Sequence, residues 1–269
     1  MEDPIMERKS YPTDLTDEQF ALLDSILTAS GCCFKPTKWT MEIILNAIMY
    51  VVRSGCAWRL LPHDFPPWKT VYDYFRILKK SGTICEIHHV LSKQVRIQAG
   101  RNPEPSAAIV DSQSAKTADK AEETGYDAGK KVKGRKRHIL VDTLGMLIDV
   151  LVHPASIQDR DGAKILLAQA IDRFPRMQLI WADGAYAGTL VDWVKETCNC
   201  VLQIVKRPAD AQGFQVLPHR WIVERTLAWL CRYRRLRADY EYLVETSTAM
   251  IKLAMINLML HRLAPERQS

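Results

Sequence analysis

Apolar positions recur at helical spacing up to residue 99. In "LTDEQFALLDSIL" (15–27) Thr16 stands as an N-cap, and Phe20, Leu23 and Leu27 fall on one face. "WTMEIILNAIMYVVRSG" (39–55) predicts a second helix closed by Gly55. Pro62, Pro66 and Pro67 then force a turn. "WKTVYDYFRILKKSG" (68–82) predicts a third helix and residues 83–99 a fourth. Helix, turn and basic aromatic helix suit either a helix-turn-helix-like module or an ordinary helical bundle. The two prolines and the glycine of "AGRNPEPSA" (99–107) mark a linker.

Beyond it the period shortens. "AIVD" (108–111) predicts a short strand ending in Asp111. "RHILVDTLGMLIDVLVHPA" (137–155) predicts two strands around a turn at Gly145. A helix (160–174), a strand (177–183), a helix (188–198), a strand (200–207) and a long helix (219–235) follow, with an apolar terminal helix through 249–260. That order predicts an α/β fold, a mixed sheet flanked by helices, with residues at strand tips gathered on one edge. The division expected is an all-helical, helix-turn-helix-like DNA-binding domain over 1–100 and an α/β domain over 107–269.

Net charge is only +6, so placement matters more than size. The basic residues cluster in "KKVKGRKRH" (130–138) and "RYRRLR" (232–237), which read as solvated faces or as contacts to a polyanion. Lys116, Lys130, Lys131, Lys133, Arg135, Lys136 and Arg137 are expected to run along a nucleic-acid backbone, giving affinity without sequence reading. The seven cysteines are odd in number, contain no CxxC pair and follow no signal peptide, a pattern expected of a reducing cytoplasm and unlike a zinc site. His88–His89 reads as helix surface. "AMIKLAMINLML" (249–260) is too short and too interrupted to span a bilayer.

"WADGAYAG" (181–188) ends an apolar strand in Asp183 among small residues. Capping the next turn is the plain role for such an aspartate. Its companions suggest another. Asp111 and Asp183 end strands that, as neighbours, would project from one edge, and Glu224 lies on the late helix one turn after Arg220. Three crowded carboxylates need a compensating cation, and hard oxygen ligands suit Mg²⁺ or Mn²⁺. A pair of such ions can activate an attacking hydroxyl and stabilise the leaving oxygen of a phosphodiester. Among the other acids, Asp142 reads as a turn residue, Asp149 as an exposed strand charge, Asp161 as a helix-start charge, and Asp127 with Glu122–Glu123 as polar loop. Ser112, Gln113 and Ser114 touch a phosphate or form the turn after Asp111. Trp181, Trp221 and Trp229 read as core, with base stacking the alternative for Trp181.

"AIVDSQSAKT", "KGRKRHILVDTLG", "WADGAYAG" and "RWIVERTLAWLCRYRRL", in that order over 107–262, resemble the DDE transposases of bacterial insertion sequences, specifically the IS5 group of the IS4/IS5-like set. "YPTDLTDEQF" and "WRLLPHDFPPWKTVYDYF" resemble the same group, so nearly the whole chain is covered. The resemblance implies an RNase H-like catalytic core whose metal-binding acids fall on Asp111, Asp183 and Glu224. It further implies cleavage at terminal inverted repeats and joining of the freed 3′ ends to target DNA. In the broader set a Tyr, an Arg and a later Lys accompany the Glu. Arg220 matches the Arg and is expected, through the resemblance, to contact DNA, but Leu217 and Cys231 stand at the Tyr and Lys positions. Arg232, Arg234 or Arg235 is then the replacement cation. The implied partners are double-stranded DNA and a second copy of the chain, in the bacterial nucleoid. The competing readings are a catalytically silent DNA-binding repressor and an RNase H-like nuclease without strand transfer.

Overall fold

The computed structural model describes residues 8–31, 34, 38–118, 120–205 and 219–265. Four helices come first: α1 Asp17–Ala29, α2 Met41–Ser54, α3 Trp68–Lys80 and α4 Thr83–Gln98. Thr16 caps α1 in a reciprocal box, its hydroxyl accepting from Gln19 N at 3.2 Å while Gln19 Oε1 accepts from Thr16 N at 3.3 Å. Gly55 ends α2 with φ 75°, and a Cβ there would lie 2.9 Å from Arg234 Cβ, so both conformation and packing demand glycine. Thr16 and Gly55 therefore act as expected.

The remainder is β1 Ala107–Lys116, β2 Gly125–Asp127, β3 Val132–Asp142, β4 Leu147–Pro154, α5 Asp159–Ala170, β5 Leu179–Ala182, α6 Thr189–Cys198, β6 Val201–Ile204, α7 Arg220–Cys231 and α8 Val244–Leu263. The strands form one mixed sheet in the order β2-β3-β1-β5-β6, with β4 also paired to β3. The β3–β4 hairpin turns at Gly145, φ 82°, as its sequence predicts.

Helices cover both faces. Ala163, Leu166 and Leu167 of α5 and Leu190 and Val194 of α6 pack with Ala108, Val110 and Ile180 on one side. On the other, Ile109, Ile139 and Val141 join a larger core with side chains of α1–α4, α7 and α8. The linker at 99–107 thus marks where helices give way to strands, while packing runs across it. The buried ion pair of Arg96 (α4) with Asp142 (β3) ties the two segments, and Arg96 Nε also donates to Asn102 O at 2.8 Å. Among the described residues no helix is long and apolar enough to cross a membrane.

Candidate active site

Parallel pairing of β1 with β5 sets Ala107 beside Leu179, Ala108 beside Ile180 and Ile109 beside Trp181. The same step carries Asp111 level with Asp183. β5 stops at Ala182, whereas β1 continues to Lys116 along β3, with Asp111 paired to Ile139. The sheet opens beside Asp111 because its neighbour ends there. Asp111 is therefore inside β1 and not at its tip. The polar run that follows it stays extended because each side chain finds a partner. Ser112 Oγ donates to Asp159 Oδ1 at 2.9 Å, Gln113 Nε2 to Cys231 Sγ at 3.4 Å, and Ser114 Oγ to Asp127 Oδ2 at 2.6 Å.

Helix α7 lies over this opening and brings the third acid. One nitrogen, Arg220 Nη2, sits 3.7 Å from Asp111 Oδ2, 3.6 Å from Asp183 Oδ2 and 3.4 Å from Glu224 Oε1. Side-chain exposure rises from 16% at Asp111 through 29% at Asp183 to 50% at Glu224, so the cluster opens to solvent on the α7 side. Burial pushes the Asp111 carboxyl up to about 6. The Ser112 N–H, which donates to Asp111 Oδ1 at 2.7 Å, and Arg220 oppose that shift, while the Asp183 charge adds to it. Tyr186 is buried beside them, its hydroxyl held protonated by burial and by the Asp111 charge. Nothing in the sequence predicts its nearness to Asp111, although it stands three residues after Asp183.

Asp183 also performs the plain role. Its Oδ1 accepts from Ala185 N at 2.8 Å, capping a short 3-10 turn over Gly184–Tyr186. The small residues around it serve different ends. A Cβ on Gly184 would meet nothing within 4 Å, whereas Gly188 is needed for its φ of 98°. Among the described residues no three His, Cys, Asp or Glu side chains are drawn together tightly enough to hold an ion by themselves. The three acids converge instead on the Arg220 cation, and an all-carboxylate oxygen set of that kind fits a hard divalent ion.

The basic runs divide sharply. Lys130, Lys131, Lys133, Arg232 and Arg234 are exposed. Arg135, Lys136, Arg137 and Arg235 are buried, contrary to the expectation that they line a nucleic-acid backbone. Strand alternation sends Arg135 and Arg137 to one face of β3 and Lys136 and His138 to the other. Arg137 donates from Nη1 to Leu236 O at 2.6 Å and from Nη2 to Ala238 O at 3.1 Å, clamping the loop after α7. Lys136 Nζ sits 2.9 Å from Asp159 Oδ1 and 3.6 Å from Asp127 Oδ2. Arg235 Nε pairs with Glu241 Oε1 at 2.7 Å. Lys130, although exposed, reaches Ser112 O at 3.1 Å.

Other expectations are corrected by burial. His88 is buried and not helix surface, its imidazole pushed down to about 3 by desolvation and by the nearby Lys252 charge. Asp149 is buried between Arg173 and Lys252. Asp127 lies in β2 and not in a loop. Asp142 is the expected turn residue, accepting from Leu144 N at 2.9 Å and Met146 N at 2.8 Å. Trp221 is exposed, and Trp181 is half-buried, stacked on His219 with ring centroids 4.1 Å apart. Leu217 lies outside the described residues.

Residues 102–259, which contain all three acids, match the family described as "Transposase DDE domain", and residues 15–88 match "Putative transposase of IS4/5 family". A "Putative transposase for insertion sequence element IS402" from Burkholderia cepacia is 28% identical over 131 residues, covering 45% of this chain and 60% of that protein. The chain thus spans under two thirds of the length of that relative. The first match covers more than half of the chain, and the sheet with its flanking helices is the RNase H-like fold expected of it: the chain belongs to the IS4/IS5-like DDE transposases.

Proposed function

We propose that this transposase cleaves phosphodiester bonds at the terminal inverted repeats of an insertion sequence and joins the freed 3′ ends to target DNA. The observation that carries the reading is the convergence of Asp111, Asp183 and Glu224 on one cationic point, 3.4 to 3.7 Å away, at the open end of the β1–β5 pair. These three residues would hold Mg²⁺ or Mn²⁺, as two ions. When bound, the metal supplies Lewis-acid activation of a water or 3′-hydroxyl and stabilisation of the leaving oxygen. The chain's own groups prepare the site. The Ser112 N–H orients one oxygen of Asp111, the Ala185 N–H orients one of Asp183, and the remaining oxygens face Arg220. No side chain need form a covalent intermediate.

DNA is held by exposed cations: Lys130, Lys131, Lys133, Arg232 and Arg234 near the α/β region, and Lys69, Arg76 and Lys80 along α3. The α3 residues recur at helical spacing on one face, which suits a helix laid against phosphates. Joining two ends calls for at least two copies of the chain in the synaptic complex, and its place of work is the bacterial nucleoid.

The test is cleavage of a duplex carrying the element's own terminal repeat, with Mg²⁺ or Mn²⁺, by wild type and Asp183→Asn. Asparagine keeps an oxygen to accept from Ala185 N, so the turn survives while the charge goes. Cleavage at the repeat boundary that vanishes in the variant, with binding retained, is the expected result. A variant as active as wild type reduces Asp183 to a turn cap. Binding without cleavage by either protein favours the repressor, and cleavage without a joined product favours a nuclease.

A further inference from the structure

We propose that Arg220 is the resident counter-cation of the three carboxylates and that divalent metal displaces it, releasing the guanidinium toward the DNA phosphate. The inference rests on the metal-dependent reading above. Some ion pairs in this chain close to hydrogen-bonding distance, with Arg235 Nε 2.7 Å from Glu241 Oε1 and Lys136 Nζ 2.9 Å from Asp159 Oδ1, and others stay looser, with Arg135 Nη1 3.5 Å from Asp239 Oδ1 and Lys252 Nζ 3.7 Å from Asp149 Oδ1; none of these nitrogens is shared among three acids. Charge-assisted bonds between N–H and carboxylate normally close to about 2.7–2.9 Å. Arg220 Nη2 instead stands 3.4, 3.6 and 3.7 Å from three different acids. It is centred among them and bonded closely to none.

A cation in that position offsets part of the acids' charge without locking any of them. Hard divalent ions draw carboxylate oxygens in to roughly 2.0–2.6 Å and carry twice the charge. A guanidinium nitrogen and such an ion cannot share the centre, so occupancy by one excludes the other. The backbone at the start of α7 is held independently. His219, the residue before Arg220, has φ 63° and stacks on Trp181 with centroids 4.1 Å apart and planes within 9°. Displacement therefore falls to the long Arg220 side chain, which stays tethered beside the ions where a scissile phosphate would lie. The charge of the site is partly offset by arginine when empty and by metal when loaded, and the arginine charge becomes available to substrate only in the second state.

The experiment is Mn²⁺ titration of the DNA-free full chain, read as the EPR signal of free Mn²⁺, for wild type, Arg220→Gln, Arg220→Lys and Asp111→Asn. Removing the competitor in Arg220→Gln should tighten Mn²⁺ binding about tenfold, equivalent to about 1.4 kcal/mol. Unchanged or weaker affinity in Arg220→Gln, with Asp111→Asn losing the site, overturns the displacement and leaves the metal reading standing. Wild type and Asp111→Asn binding alike would overturn the metal reading and this inference with it. Should Arg220→Gln fail to fold by circular dichroism, Arg220→Lys decides, since its side chain ends one bond short of the Nη2 position among the three acids and so competes less there: tighter binding supports displacement and unchanged or weaker binding refutes it. Anisotropy of a fluorescein-labelled DNA duplex tests the release. Mn²⁺ should strengthen DNA binding by wild type more than by Arg220→Gln, and an equal gain in both would overturn that half of the proposal.

Discussion

Arg135 lies in the densest basic run of the chain, yet it is fully buried. Its guanidinium donates from Nε to Glu123 O at 2.9 Å, from Nη1 to Glu241 O at 2.8 Å and from Nη2 to Tyr242 O at 2.6 Å, with Asp239 Oδ1 3.5 Å away. Arg135→Lys separates a structural role from a DNA contact, because it keeps the charge and removes the planar fork. A phosphate contact tolerates that exchange well, since phosphate binding is dominated by charge. Three carbonyls approached from three directions do not tolerate it, because a single ammonium cannot reach them all. Each buried polar group left without a partner costs about 1–3 kcal/mol. Losing two of the three gives a destabilisation of roughly 2–6 kcal/mol, the charge opposite Asp239 being retained. Urea unfolding followed by tryptophan fluorescence should show the midpoint falling by about 0.7 M or more, for a denaturant slope of about 2–3 kcal/mol/M. The salt dependence of DNA binding should stay as in wild type. A lysine variant with the wild-type midpoint would refute the structural assignment, and a changed salt slope would return Arg135 to the DNA surface.

The exposed cations should behave in the opposite way. Lys133→Ala, Arg232→Ala and Arg234→Ala should each leave the unfolding midpoint nearly unmoved and lower the slope of log affinity against log salt by about 0.9 for every phosphate left without its cation; anisotropy titrations across a salt series measure it. Gly162→Ala should destabilise by roughly 1–3 kcal/mol in urea unfolding, because its Cβ would sit 2.5 Å from His138 Cε1 and 2.6 Å from His153 Nε2. Stability should also fall in acid. Burial pushes His88 and His138 from 6.5 to about 3, with Lys252 acting on the first and His153 on the second. Between those values the unfolded chain binds more protons, so unfolding free energy drops as pH falls from about 6.5 toward 3, by up to about 1.4 kcal/mol per pH unit for each histidine. Urea midpoints across that range should show a shallower decline in His88→Leu, and an identical decline would count against the assignment.

Local signals in the sequence carried far. Thr16 with Gln19, Gly55 and Gly145 set helix and hairpin ends through hydrogen bonds and backbone angles confined to a few neighbouring residues, and these were legible without a fold. The alternation through 137–155 and the apolar run before Asp183 likewise declared their strands. The positions of the three acids were legible as motif residues, but their meeting was not. It depends on which strands are neighbours, on β5 ending at Ala182 while β1 runs on, and on α7 crossing the gap. The arginine at their centre followed from that crossing alone. Charge was the least legible feature, because a run such as "KKVKGRKRH" looks the same whether its cations meet water or carbonyls. Only the tertiary structure, by laying the 234–243 loop over one face of β3 and Asp159 against the other, decided that Arg135, Lys136 and Arg137 face inward while Lys131 and Lys133 remain in solvent. The sequence by itself determined what neighbours along the chain settle among themselves; partners a hundred residues apart, such as Arg135 and Asp239, are chosen only when the sheet and its loops close.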